Sequence, residues 1–133
     1  MTRFFSLALI LLLGAAFFPV EEEFEESKKR GKELYEEMCV TCHMGNGEGL
    51  MGAFPPIAKS DFLTKYPLDA IRAVKYGQSG EITVNGETYN SYMPEPGLED
   101  QEIADVMNYI RNAWGNQNDT MVTATMVAAL EKE

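Results

Sequence analysis

The chain has 133 residues, of which 45% are hydrophobic, and it carries a formal net charge of −10. That length suits one small domain, whose core is marginal unless something else enlarges it. The negative charge excludes a protein that binds nucleic acid or anionic lipid through a basic surface.

Residues 1–20 are predicted to be a signal peptide or an uncleaved anchor. Arg3 is the only early charge, a nearly unbroken apolar run follows it, and Gly14-Ala15-Ala16 offers the small residues that a signal peptidase prefers. The run is close to the shortest stretch that crosses a membrane, so a retained anchor formed by residues 4–20 is the alternative. Both interpretations place the rest of the chain in the periplasm or a similar exported location.

An acidic segment, residues 21–26, is predicted to be a solvated linker. The first helix is predicted to begin at Ser27, as its N-cap, and to run through Met38. Gly31 lies one turn before Tyr35 on the apolar face of this helix. Because a glycine inside a helix costs about 1 kcal/mol relative to alanine, we expect another helix to approach closely there.

Residues 39–43 read Cys-Val-Thr-Cys-His, with two cysteines three positions apart and a histidine directly after the second. This is the signature of c-type haem attachment, in which the thiols bond to the two vinyl groups and the imidazole binds the iron. On one helical turn both sulfur atoms can reach a single porphyrin. The sequence therefore predicts one haem c, held by Cys39 and Cys42 through two thioethers, with His43 on the iron.

Other uses of these cysteines fit less well. A thioredoxin-like dithiol requires a buried strand before the motif, whereas the residues before Cys39 are charged and helix-forming. A zinc site takes about four protein ligands, and two cysteines with one histidine supply too few. A disulfide between Cys39 and Cys42 has poor geometry and leaves His43 without a role.

A glycine-rich loop follows the histidine, with four glycines between residues 44 and 52. They indicate backbone that passes closely over something flat. Pro55-Pro56-Ile57 then predicts an extended course without a partner strand. We expect one of its free carbonyl groups to accept a hydrogen bond from the imidazole N–H of His43 and so to fix the tautomer.

A second helix is predicted to begin at Pro67 and to stop at Gly77. After it, residues 82–84 and 88–89 flank Asn85-Gly86. That dipeptide is the strongest short-range signal for a two-residue type I′ turn, so a small β-hairpin is predicted there.

The segment Tyr92-Met93-Pro94-Glu95-Pro96 is the second candidate for chemistry. A haem iron with one histidine ligand has a sixth position, and a thioether there suits a redox couple of raised potential. Met93 lies in a loop that two prolines stiffen, which holds a side chain at a fixed place. Met51 is the rival ligand, and a purely structural role for Met93 in the core is the other alternative.

The last main helix is predicted between Glu99 and Gly115. Its inward residues are predicted to be Ile103, Val106, Met107, Ile110 and Trp114. Residues 116–133 form a tail, in which Thr123 is predicted to cap a short helix with Met126, Val127 and Leu130 turned inward.

The order of these features resembles the class I cytochrome c family over residues 27–115. The residues that carry the resemblance are Gly31, Tyr35, Cys39 to His43, Pro55 to Ile57, Met93, Pro94, Tyr109 and Trp114. The hairpin and the sequence after it are further similar to bacterial mono-haem cytochrome domains, found as small carriers or attached to periplasmic oxidoreductases such as copper nitrite reductases. The resemblance implies an all-α fold packed around one covalent haem, with a small hairpin before the methionine loop.

The resemblance also implies roles for single residues. The two motif cysteines hold the haem, His43 is the proximal ligand of the iron and Met93 is the distal ligand. The carbonyl of Pro55 accepts the N–H of His43, and Ile57 lies on the haem.

With both axial positions filled by protein, the iron has no open position for a substrate. The sequence therefore predicts a one-electron carrier and not an enzyme. The expected partners are exported redox proteins that donate and accept electrons, either a membrane respiratory complex or a periplasmic oxidoreductase, and the membrane itself is a partner only through retained residues 4–20. A labile Met93 bond would instead make a gas sensor or weak peroxidase, and a tethered electron-transfer subunit of a larger oxidoreductase is a third interpretation.

Overall fold

The computed structural model describes residues 19–132, so the predicted export segment lies outside the described residues except for its last two. The described part forms helices and one two-stranded sheet. The elements are α1 (Val20–Met38), α2 (Val40–His43), α3 (Phe62–Lys65), α4 (Pro67–Tyr76), β1 (Ile82–Val84), β2 (Glu87–Tyr89), α5 (Asp100–Ile110) and α6 (Ala124–Ala128). This mostly helical fold with one hairpin confirms the predicted class. Within residues 19–132, no helix is both long and apolar enough to cross a membrane.

Helix α1 begins at Val20 and not at Ser27. Residues 21–26, predicted to be a linker, form its first turns, because three glutamates lie at the positive end of the helix dipole. Ion pairs at i,i+3 spacing then continue the helix. Ser27 lies in the middle of α1 and is fully buried. Its hydroxyl donates to the Asp105 carboxylate and does not cap the helix. The predicted N-cap is therefore wrong, and the acidic segment 21–26 is helical while its residues are mostly exposed.

Helices α1 and α5 cross at Gly31. A Cβ at this position would collide with the backbone carbonyl oxygen of Asp105, which confirms that only glycine permits the approach. One turn later, the ring of Tyr35 packs against two other aromatic rings, with centroids 5.7 Å from that of Tyr109 and 4.8 Å from that of Trp114. This crossing is the centre of a core that α4 and the tail complete.

Helix α4 begins at Pro67, and Gly77 follows its last residue, both as predicted. Strands β1 and β2 pair antiparallel, with Val84 opposite Glu87. Asn85 and Gly86 between them have φ values of 53° and 83°, which confirms the type I′ turn. The hairpin and α4 together form one wall of the cleft described below.

Helix α5 ends at Ile110, earlier than predicted, and Trp114 follows it with a φ of 52°. In the tail, the Thr123 side chain accepts a hydrogen bond from the Met126 backbone, which confirms the predicted cap of α6. Met126 itself is 41% exposed, so its predicted inward position is wrong. Val127 and Leu130 were also predicted to face inward. Val127 is fully buried and Leu130 packs against the core, which confirms both. Met126 points elsewhere because adjacent helical residues point about 100° apart.

Candidate functional site

A cleft opens between α2, α4, the hairpin and the end of α5. It contains about 900 Å³ of empty space, counting its open mouth. Most of its lining side chains are apolar: Phe54, Pro56, Ile57, Phe62, Leu63, Ala70, Ala73, Val74, Ile82, Val84 and Ile110. A cleft with apolar walls and few polar groups suits an apolar organic group more than a hydrated substrate.

Cys39 directly precedes the single turn of α2, and Cys42 lies within that turn. Both are free thiols and half-buried; Cys42 lines the cleft and Cys39 packs against the hydrophobic core. Burial raises the pKa of Cys39 to about 11, and the nearby Cys42 adds to the rise. The Cys39 thiol is therefore neutral at neutral pH before any bond to a cofactor forms.

The next residue, His43, lines the same cleft, and its Nδ1 atom lies 3.1 Å from the carbonyl oxygen of Pro55. A carbonyl oxygen can only accept, so Nδ1 carries the hydrogen and the lone pair is on Nε2. Burial lowers the pKa of His43, although the bond to Pro55 opposes part of this change. A neutral imidazole with one free nitrogen is the form that binds a metal ion.

The glycine-rich loop fixes the Pro55 carbonyl. The N–H of Gly49 donates to the carbonyl oxygen of His43 at 3.0 Å, and a Cβ at Gly49 would lie 2.8 Å from the Pro55 backbone. A Cβ at Gly47 would lie 2.5 Å from the indole ring of Trp114. The glycines predicted that the loop passes over a flat group. At Gly47 this group is the side chain of Trp114.

Met93 lines the same cleft as His43. Among the methionines of residues 19–132 it is alone in this position. Met51, the predicted rival, is 85% exposed and does not line the cleft. The structure therefore brings Met93, His43, Pro55 and Ile57 together around one space and leaves Met51 outside it.

Two contacts in this region were not predicted from the sequence. The backbone of Gln78 pairs with that of Met93, and the Ser91 hydroxyl donates to the carbonyl oxygen of Ala53. Both contacts join segments that are distant in sequence, and no residue pattern predicts them. The sequence marks Gly77 only as the stop of α4, so its contact with the Met93 backbone had no signal there.

Two cysteines and a histidine lie within five neighbouring residues, and Cys42 and the neutral imidazole line an apolar cleft. This arrangement fits the attachment of haem better than a dithiol, a zinc site or a disulfide. It places the protein in the class of c-type cytochromes. A sequence model described as Cytochrome c matches residues 28–114, and the chain belongs to that family. Its cofactor is covalently bound haem c with its iron, and the chain is an electron-transfer protein and not a catalyst.

Known relatives include a small cytochrome and several larger subunits. The chain is 41% identical over 91 residues to cytochrome c-552 of Thermus thermophilus, and this match covers 65% of this chain and 69% of that protein. It is 34% identical over 105 residues to the cytochrome c subunit of quinone alcohol dehydrogenase from Gluconobacter oxydans, covering 75% of this chain and 21% of the subunit. It is also 34% identical over 113 residues to the gluconate 2-dehydrogenase cytochrome c subunit of Pantoea cypripedii, covering 81% and 25%. The chain thus spans only a quarter or less of these dehydrogenase subunits.

Proposed function

We propose that this chain transfers one electron at a time through a haem c attached to Cys39 and Cys42, with His43 and Met93 as axial ligands of the iron. When bound, the haem supplies a reversible one-electron couple. The observation that carries the proposal is the 3.1 Å contact between His43 Nδ1 and the Pro55 carbonyl oxygen, which leaves the Nε2 lone pair available to bind iron.

The protein's part in this transfer is to hold two uncharged ligands and to exclude water. An imidazole and a thioether suit both oxidation states of iron, so no ligand has to leave when the charge changes. The apolar cleft walls, including Ile57, limit the solvent rearrangement that accompanies the change. With His43 and Met93 both bound to the iron, an electron would pass without contact between iron and substrate.

The ligand assignment is tested with Met93→Leu and its matched control Met51→Leu, whose side chain is 85% exposed. Met93→Leu should lose the weak long-wavelength absorption band that reports methionine on oxidised iron, lower the midpoint potential and let carbon monoxide bind the reduced protein. Met51→Leu should keep the wild-type behaviour in all three measurements. An unchanged band in Met93→Leu rules out this ligand, and carbon monoxide binding by the wild type favours the gas sensor or weak peroxidase.

The proposed partners are exported redox proteins, either in a respiratory chain or in an oxidoreductase. Two of the relatives above are named as cytochrome subunits of dehydrogenases, which supports a tethered electron-transfer subunit as the second candidate. The net charge of −10 favours a partner with a positively charged docking face. Co-purification with a dehydrogenase subunit would favour the tethered form, whereas isolation of the haem protein alone would favour a free carrier.

Export to the periplasm is also proposed, with residues 1–20 as a cleaved signal and residues 4–20 as an anchor in the alternative. Cell fractionation, haem staining and N-terminal sequencing of the stained band test it. A shortened N-terminus in the periplasmic fraction supports the signal, and an intact one in the membrane fraction supports the anchor. A haem-free protein confined to the cytoplasm contradicts both.

A further inference from the structure

The turn after helix α4 lies directly against the Met93 loop. The N–H of Gln78 donates to the carbonyl oxygen of Met93, and the N–H of Met93 donates to the carbonyl oxygen of Gln78, each at 2.9 Å. The two residues form an antiparallel bridge outside the hairpin. One residue therefore holds both polar groups of the Met93 backbone.

Gly77, between α4 and Gln78, makes this bridge possible. Its φ of 77° lies in the region that favours glycine. A Cβ at Gly77 would lie 2.7 Å from the carbonyl oxygen of Met93 and 3.0 Å from the backbone nitrogen of Glu95. Both neighbours are backbone atoms, so no side chain can rotate to make room, and a larger residue has to push the loop away. We call Gly77 and Gln78 together the methionine seat.

The methionine seat is built on well-anchored structure. Ile71, on α4, is 2% exposed in the core. Tyr76, the residue before the seat, donates a 2.7 Å hydrogen bond from its hydroxyl to the carbonyl oxygen of Leu130 in the tail. The hairpin closes the chain between Gln78 and Met93. The Met93 backbone is thus joined to the end of α4, and through α4 to the core and the tail, by contacts that do not include its thioether.

We propose that the methionine seat positions Met93 for the iron, with Gly77 and Gln78 as positioning residues. The inference rests on the proposed role of Met93 as an axial ligand. A preorganised loop brings the thioether to one place in both oxidation states, which keeps the bond intact and the potential fixed. A displaced loop leaves the ligand short of the metal, and the sixth position opens.

The chain offers a matched control for the test. Gly80 has a similar φ of 86°, but a Cβ there would meet nothing within 4 Å. Gly77→Ala and Gly80→Ala therefore impose the same kind of backbone strain, and only the first pushes the Met93 loop. In the haem-loaded protein, Gly77→Ala should lose the long-wavelength band, bind carbon monoxide when reduced and show a lower midpoint potential. Gly80→Ala should match the wild type, and equal behaviour of the two variants overturns the inference.

Met93→Leu separates this inference from the proposed function. If Met93→Leu keeps the band, the ligand assignment itself fails. If Met93→Leu loses the band while Gly77→Ala keeps the band, the potential and the resistance to carbon monoxide, the positioning role fails and the ligand assignment stands.

A second measurement does not depend on the folding of Gly77→Ala. In the haem-loaded Met93→Ala variant, reduced and saturated with carbon monoxide, we expect slow hydrogen exchange at the amides of Gln78 and of residue 93. The bridge uses backbone groups alone, so removal of the thioether should leave both amides protected, as NMR can show. Rapid exchange at both amides would mean that the iron bond holds the loop, and it would overturn the inference.

Discussion

The hydroxyl of Ser27 donates a 2.6 Å hydrogen bond to Oδ1 of Asp105 where α1 crosses α5. Ser27 is fully buried and Asp105 is 3% exposed. Arg30 and Gln101 also donate to this carboxylate, at 2.7 and 2.9 Å, and Asn108 donates to the Ser27 hydroxyl. A buried carboxylate is tolerated only with such partners, so these residues lock the two helices together.

Asp105→Asn is expected to lower the free energy of unfolding by about 1–3 kcal/mol, because it removes the charge that three donors face. Urea denaturation of the haem-loaded protein measures this. The matched control is Glu23→Gln, because Glu23 contacts the same Arg30 at 2.9 Å but is 48% exposed. An exposed pair contributes about 0–1 kcal/mol, so the control should change little. Equal losses in both variants would contradict the role given to the buried carboxylate.

Gly31→Ala should destabilise the protein even though alanine is the better helix former. In an open helix the exchange gains about 1 kcal/mol. Here the new methyl group would overlap the Asp105 carbonyl oxygen, and overpacking of this kind costs about 1–3 kcal/mol or more. A fall in the melting temperature is therefore expected. Gly45→Ala, where a Cβ meets nothing within 4 Å, is the control and should leave it unchanged; a stabilised Gly31→Ala would show that the helices can separate freely.

The parts of the fold that could be predicted have local signals. Asn85-Gly86 fixes its turn through backbone preferences of the two residues alone, and the haem motif is a run of five neighbours. The start of α1 is different, because Ser27 finds its partners Asp105 and Asn108 at positions 78 and 81 residues away. A serine among glutamates looks like a cap until those partners are known.

In the candidate site too, local motifs could be predicted from the sequence and contacts between distant segments could not. Residue type and spacing predicted His43 and Met93 as ligands, and the structure places both side chains along one apolar cleft. How Met93 is held could not be predicted, because the bridge to Gln78 depends on the hairpin that brings the two segments together. The Gly47 contact with Trp114 likewise joins a loop to the far end of the chain.

The hairpin turn is tied to the start of α3 by a reciprocal pair of hydrogen bonds. The N–H of Asn85 donates to the Asp61 carboxylate at 2.7 Å, and the N–H of Asp61 donates to the Asn85 side chain at 2.9 Å. Lys65 and then the Asn85 N–H hold the pKa of Asp61 below 3.8. Because the pKa of Asp61 is lower in the folded state, its carboxylate stabilises the fold fully at pH values above the unfolded-state pKa. This stabilisation is lost as the pH falls through the folded-state pKa.

We therefore expect the amide signal of Asn85 to titrate with a midpoint below 3.8. NMR of the haem-loaded protein across acidic pH measures it. Asp61→Asn should abolish this titration at the Asn85 amide, since the replacement has no carboxyl group. A midpoint at or above 3.8 would contradict the ties to Lys65 and Asn85.

The net charge of −10 predicts how the rate of electron exchange responds to salt. A cationic small oxidant is drawn to the protein and an anionic one is repelled, and both effects weaken as the Debye length falls to about 10 Å at about 0.1 M salt. In stopped-flow oxidation of the reduced protein, raising the salt concentration should slow the reaction with a cationic cobalt complex and speed the reaction with ferricyanide. Opposite slopes exclude a general effect of salt on the fold, because that would change both rates in one direction. If both slopes are instead flat, the charge lies far from the point of electron exit, and a partner with a positive face loses its main support.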